Sequence, residues 1–294
     1  EFASHITGAG GGLRANVLNF PSVLSTGIFT PDGSRLVAYQ LDSMKVFDVS
    51  SGQAIKTLVG ASSSGWPVYS NDSRLAAILE MNAKSVGVWD LETGQLQHRL
   101  THGKPLVMLD FNPVDNRLVT SSMGSEINLW DADDGRKLDV LDDPAGNVTT
   151  CCFSSDGRFV LAGYADSKVR IWDAEKGDLI TTLAGHSQRI RGVSLNPDGT
   201  RVLTWAMDDH AMIWDLNQPQ ANQLLVLGDR ESKLIQARWT PDGKDIVAAW
   251  SDGAIEVWRG ATKSDLAELT ADEDAAFGDE HDKWRTMHMN IPTD

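Results

Sequence analysis

Residues 185–215 read GHSQRIRGVSLNPDGTRVLTWAMDDHAMIWD, and this stretch decides the fold. Pro197-Asp-Gly199 is a turn with a mechanism, since Pro presets φ and Gly accepts a positive φ. A short apolar strand follows it, then a polar turn, then a strand that ends at Trp214-Asp215. The same tryptophan-aspartate pair stands at Trp89-Asp90, Trp130-Asp131 and Trp172-Asp173, with weaker copies at Phe47-Asp48 and Trp258-Arg259. The successive gaps from residue 47 to residue 258 are 42, 41, 42, 42 and 44. A period of ~40–45 residues is the size of one four-stranded propeller blade.

A second signal keeps the same period. It reads Phe29-Thr-Pro-Asp-Gly33, Tyr69-Ser-Asn-Asp-Ser73, Phe111-Asn-Pro-Val-Asp115, Phe153-Ser-Ser-Asp-Gly157, Leu195-Asn-Pro-Asp-Gly199 and Trp239-Thr-Pro-Asp-Gly243. Lys168-Val-Arg-Ile-Trp172 and Ala254-Ile-Glu-Val-Trp258 alternate polar and apolar residues, as half-buried strands do. A third turn closes on Gly52, Gly94, Gly135 or Gly177, and a fourth strand such as Leu179–Leu183 ends the unit. Each unit is therefore four antiparallel strands, A to D. One such sheet cannot bury both faces alone, so neighbours must stack around an axis.

With these motifs in hand, the chain resembles the WD-repeat (WD-40) β-propeller family over residues 23–258. The resemblance implies an all-β propeller of four-stranded antiparallel blades, with cores near 23–58, 64–100, 106–141, 147–183, 189–227 and 233–269. It also implies a hydrogen-bonded tetrad that ties the strands of a blade together. His186, Thr204, Asp208 and Trp214 fit it, and Gly185-His186 is the one Gly-His pair of the family signature. Blades four and six keep only Asp166 with Trp172 and Asp252 with Trp258. A His–Asp pair invites a catalytic reading, but the tetrad's structural role outweighs it.

The ends point to a seventh blade, and a six-bladed ring is the alternative. His281 to Pro292 spans the same 11 positions as His186 to Pro197, so the tail resembles the start of another repeat. Phe2–Thr7 and Leu13–Leu18 flank Gly8-Ala-Gly-Gly-Gly12, a hairpin signature. A closing blade built from residues 1–20 and 281–294 would remove exposed sheet edges. The expectation is a single propeller domain over residues 1–294, open to being one part of a longer protein.

Composition narrows the partners. The chain has 294 residues and a net charge of −15, so its surface repels phosphate backbones and nucleic acid is not expected. Eight acids lie between Asp265 and Asp282, and that run reads as a solvated loop. No apolar run approaches the ~20 residues of a membrane span. Cys151 and Cys152 are adjacent, staple nothing, and favour a reducing, cytoplasmic setting.

Other chemistry is weakly supported. Gly8–Gly12 lacks the remaining signature of a dinucleotide or P-loop site. Asp131-Ala-Asp-Asp-Gly135 puts its Gly one place early for a calcium loop. The histidines, His281 and His288 among them, lack metal-ligand spacing. Neither cofactor nor metal is expected, and no nucleophile–base motif appears.

What remains is a surface. In the family the D–A and B–C loops share one rim, which receives peptides or proteins. By that resemblance Trp66, Tyr164, Trp205 and Trp250 supply apolar anchors, beside His210 and the methionines Met81, Met123 and Met207. Lys104, Arg189, Arg191, Arg230 and Lys233 supply charge that selects an acidic segment. The reading is a non-enzymatic interaction scaffold binding a protein or peptide. A sensor that holds a small ligand in the central channel is the alternative, and a propeller hydrolase or lyase a more distant one.

Overall fold

The alternating segments form strands where the periodicity places them. A computed structural model describes residues 27–40, 43–59, 61, 67–80, 83–142, 146–216, 222–228 and 231–259. The chain divides into two units, one through Thr101 and one from His102. Every regular element among the described residues is a β-strand.

Among the described residues the first unit holds two sheets. One contains β1 (Gly27–Phe29), β2 (Arg35–Gln40), β3 (Ser43–Asp48) and β4 (Ala54–Val59). The other contains β5 (Val68–Tyr69), β6 (Leu75–Leu79), β7 (Ser85–Asp90) and β8 (Leu96–Thr101). The described residues of the second unit form four. Blade three is β9 (Leu106–Phe111), β10 (Arg117–Ser122), β11 (Glu126–Asp131) and β12 (Lys137–Asp142). Blade four is β13 (Val148–Phe153), β14 (Phe159–Tyr164), β15 (Lys168–Asp173) and β16 (Leu179–Ala184). Blade five is β17 (Ile190–Leu195), β18 (Arg201–Ala206), β19 (Ala211–Asp215) and β20 (Asn222–Leu227). Blade six shows β21 (Leu234–Trp239), β22 (Asp245–Trp250) and β23 (Ile255–Arg259) among the described residues. Strands pair antiparallel in chain order within each sheet, the A-to-D meander of one blade.

The Trp-Asp pair has two separate jobs. At its aromatic member the C–D ladder slips by one residue, at Val46/Phe47, Val88/Trp89, Leu129/Trp130, Ile171/Trp172 and Ile213/Trp214. Such a bulge bends the strand and re-aims the side chain. The aspartate closes the turn that follows. Asp90 Oδ1 accepts from the N–H groups of Glu92 and Thr93 at 2.9 and 2.8 Å. Asp173 Oδ1 does the same with Glu175 and Lys176, both at 2.9 Å, and these N–H bonds hold its carboxyl below the usual range. The turn's last residue has φ of +69°, +76°, +73° and +72° at Gly52, Gly94, Gly135 and Gly177, a conformation that favours glycine.

The core lies between sheets. In the first unit Val37, Met44, Val46 and Leu58 meet Ala76, Ile78, Trp89 and Leu91 of the next sheet. In the second, Val119, Ile127, Leu129 and Leu141 meet Cys151, Phe153, Val160 and Tyr164. Ile171 and Leu183 meet Ile190, Val202 and Trp214, and Leu203, Trp205 and Ile213 meet Leu234, Ile246 and Trp250. Each such aliphatic residue contributes about 1.5–3 kcal/mol by leaving water. One sheet face breaks the pattern. Ile255 and Val257 of blade six are 72% and 49% exposed. Their counterparts in blade five, Ala211 and Ile213, are buried. The closing blade expected from residues 1–20 and 281–294 lies outside the described residues, as does the acidic run 265–282.

Candidate functional site

Blade five builds a polar joint from a D–A loop, β18, a B–C turn and β19. Trp214 Nε1–H donates to Thr204 Oγ1 at 2.9 Å. Thr204 Oγ1 and His186 Nε2 lie 2.8 Å apart, and His186 Nδ1 lies 2.9 Å from Asp208 Oδ2. One proton arrangement satisfies all three contacts. The indole donates to the hydroxyl, the hydroxyl to Nε2, and a neutral imidazole donates its Nδ1–H to the carboxylate. Burial holds His186 below the usual histidine range, which keeps it in that neutral form. Burial acts to raise Asp208, but the Ser187 N–H and His186 outweigh it, and its carboxyl lies below the ordinary value. Asp208 also accepts from the N–H groups of Ser187 at 2.9 Å and His210 at 3.2 Å, so one carboxylate pins a D–A loop to a B–C turn. Thr204 is fully buried. A hydroxyl sealed between an indole and an imidazole offers no approach to a substrate.

A second joint, absent from the motif reading, occurs in blade three. Trp130 Nε1–H donates to Thr120 Oγ1 at 2.8 Å, and Thr120 Oγ1 lies 3.4 Å from His102 Nε2. Asn128 Nδ2 lies 3.5 Å from His102 Nδ1. Gly124 stands at the position of Asp208. His102 follows Thr101 rather than a glycine, which hid it from the Gly-His signature. The spacing reveals it: His102 precedes Trp130 by the same 28 positions as His186 precedes Trp214.

Blade four solves the joint differently. Ala162 occupies the threonine position, and Trp172 Nε1 is buried with no hydrogen-bond partner. Asp166 is instead held by Arg170, whose Nη1 and Nη2 donate at 3.2 and 2.8 Å. The Arg170 guanidinium is buried and lies 4.2 Å from the Tyr164 ring centroid, a cation–π contact.

The residues expected on the rim separate into two groups. Tyr164, Trp205 and Trp250 are 0%, 8% and 3% exposed, and each belongs to an inter-sheet core. They are interior residues and not exposed anchors, because each packs between two sheets. Gly192 pairs directly with Trp205 and receives its indole. Trp250 packs edge-on to Trp258 and donates to Glu256 at 3.1 Å. Arg191 is half-buried and donates to the carbonyl of Leu234, so it serves the structure. Trp66, Met81 and Arg230 lie outside the described residues.

Other side chains do face solvent. Met123 and Met207, in the B–C turns, are 62% and 43% exposed. Lys104, Arg189 and Lys233 are exposed on D–A loops and form no ion pair among the described residues. His210 is partly exposed beside Asp208. One backbone bond recurs in each blade of this unit and holds the two loop types together. Met123, Ala165, Met207 and Ser251 donate to Pro105, Asn147, Arg189 and Lys233 at 2.7, 2.8, 2.9 and 2.9 Å. Among the described residues no set of three or more His, Cys, Asp or Glu is placed to hold a metal. No helix there is long and apolar enough to cross a membrane. Burial pushes the Cys151 thiol up to about 12 and Cys152 well above its ordinary value, so neither carries a thiolate at neutral pH.

Two groups on blade three make stability depend on pH with opposite signs. Burial, aided by the charge of Lys137, lowers His102 to about 4. The unfolded chain then binds more protons, and stability falls as pH drops from about 6.5 towards 4. Burial raises the Asp110 carboxyl to about 6, against the Phe153 and Phe111 N–H bonds. Its contribution is present below about 4 and is lost as pH rises through 6. The two offset one another on acidification. Asp110→Asn should therefore steepen the acid loss between pH 6 and 4 in urea titrations. An unchanged slope would show that Asp110 titrates normally.

The WD domain, G-beta repeat model matches residues 94–131, 135–173 and 177–215. The mouse intraflagellar transport protein 122 homolog is 27% identical over 141 residues, 47% of this chain and 11% of that protein. The Arabidopsis thaliana autophagy-related protein 16 is 28% identical over 136 residues, 46% of this chain and 26% of that protein. Dictyostelium discoideum protein tipD is 34% identical over 122 residues, 41% and 18% respectively. The chain thus spans about a quarter or less of these relatives' lengths. Among solved structures, the β-propeller domain of Cps50 (Swd1) from Myceliophteria thermophila aligns with a TM-score of 0.65 at 17% identity. The alignment covers 80% of this chain and 85% of that one. The chain thus carries three WD-domain, G-beta repeats, and its meander sheets and this neighbour's architecture show the β-propeller fold.

Proposed function

We propose that this protein is an interaction platform that binds an acidic protein segment along the D–A and B–C loops of blades three to six. The carrying observation is electrostatic. In a chain of net charge −15, Lys104, Arg189 and Lys233 are exposed on the D–A loops that enter blades three, five and six, and are unpaired among the described residues. Unpaired bases on an acidic body select acidic partners and speed their encounter. Met123 and Met207 replace the tryptophans as the apolar part, and their flexible side chains suit a contact surface. Arg189 and His210 are proposed as further contacts of that segment. The polar joints favour binding over chemistry, since their hydroxyls are spent inside the blade. The relatives' names, transport and autophagy, attach to processes and not to a reaction.

The test is capture from source-cell lysate with the intact chain, set against Lys104→Glu/Arg189→Glu/Lys233→Glu. Partners bearing acidic segments should be lost from the triple variant, and most readily at low salt. Identical partner sets for the two proteins would refute the platform.

A further inference from the structure

The joint between blades three and four is open. A cleft of about 420 Å3 lies there, lined by Lys104, Gly124, Ser125, Gly146, Asn147, Ala165 and Asp166. Sequence explains the opening. Counted back from each blade's tryptophan, Gly124 shares a position with Asp166, Gly146 with Gln188, and Ala165 with Met207. The joint between blades four and five thus carries Asp166, Gln188 and Met207 where this one has two glycines and an alanine. The Val148 N–H donates to Gly124 O at 2.7 Å, so backbone closes the floor.

The cleft has a chemical sign. A methyl group built on Gly124 would lie 2.9 Å from Lys104 Nζ, so the ammonium lies directly over the glycine. Gly124 has φ +140°, which disfavours any side chain that would displace it. The Asp166 carboxylate also lines the cleft, but the buried Arg170 binds both of its oxygens. That pair cancels and leaves the Lys104 charge. Ser125 and Asn147 add polar side chains that make no hydrogen bond among the described residues.

We infer that this cleft seats one acidic side chain of an extended partner peptide. Lys104 is its charge partner, and Ser125 and Asn147 are its hydrogen-bond donors. The inference rests on the rim being a peptide-binding edge, and it names where that edge reads charge. A charge-assisted bond of this kind is stronger than a neutral one and discriminates a carboxylate from its amide. The cleft is large enough for one acidic side chain.

Fluorescence anisotropy on the intact chain tests it, with a labelled Gly/Ser peptide carrying paired Glu residues and its Gln counterpart as probes. The Glu peptide should bind about tenfold tighter, the ratio set by one charge-assisted hydrogen bond. Lys104→Glu should erase that ratio. Ala165→Met, which fills the cleft with the residue of the next joint and alters no charge, should erase it too. If Arg189→Glu/Lys233→Glu abolishes Glu-peptide binding while both cleft variants keep it, the cleft is overturned and the rim stands. If the two peptides bind alike to the unaltered chain, both readings fall. Thermal unfolding of each variant separates lost binding from lost folding.

Discussion

Thr204→Val should destabilise the second unit by about 2–4 kcal/mol, although it swaps a hydroxyl for a methyl of the same shape. The substitution removes the acceptor of the Trp214 indole N–H and the donor to His186 Nε2 in one step. Each group is then buried without a partner, and each such orphan costs about 1–3 kcal/mol. The loss should appear in urea unfolding followed by tryptophan fluorescence. The remedy is as informative as the damage. Adding Trp214→Phe removes the orphaned donor, so the double variant should lose less than the two single losses added together. Strict additivity would mean the indole and the hydroxyl are not coupled. Blade four supplies an internal control, because its Trp172 already lacks a partner above Ala162. Ala162→Thr is therefore expected to stabilise, provided the hydroxyl reaches the indole.

Gly192→Ala should cost at least about 2 kcal/mol, a large penalty for one methyl group on a strand. Its added carbon would lie 1.9 Å from Trp205 Cζ2 and 2.3 Å from Cε2. The indole cannot retreat, because Leu203, Ala237 and Trp250 pack in the same core. On an ordinary strand the exchange would be favourable, since glycine costs about 0.5–1 kcal/mol relative to alanine. The sign of the change thus reports whether the tryptophan lies on the glycine. Urea unfolding of Gly192→Ala within error of the unaltered protein would sink the packing argument. Trp205→Leu in the same chain should recover part of the loss, because the shorter side chain leaves room for the methyl.

These two sites show what the sequence discloses. The period of the Trp-Asp pair, the Pro-Asp-Gly turns and the alternating strands were legible because each is local, with its cause inside a few neighbouring residues. The blade-five joint was legible because all four members keep both identity and spacing. The blade-three joint was not, since Thr101 and Gly124 replace two signature residues. Only the distance from His102 to Trp130 survives. The burial of Tyr164, Trp205 and Trp250 was hidden for a different reason. It depends on which residue faces each aromatic across the ladder, and Gly192 opposite Trp205 becomes informative only once the A–B register is known. A tryptophan beside a turn reads equally as an anchor or as core until its partner strand is placed. The charged loops were legible in composition but not in role, because Arg191 turns inward to a carbonyl while Arg189 does not.

The backbone bond that ties every B–C turn of the second unit to the preceding D–A loop bears on how such a surface diversifies. A residue inserted between donor and acceptor would push one past the other, and the stretch from each acceptor to its blade's tryptophan is the same 25 positions in all four blades. Length varies instead upstream of the acceptor, where four, five, five and six residues separate one described strand from the next. Side chains vary within the fixed spacing, as Lys104, Gly146, Gln188 and Ser232 at one shared position illustrate. The edge behaves like fixed type in a row of slots: the letters change while the slots keep their places.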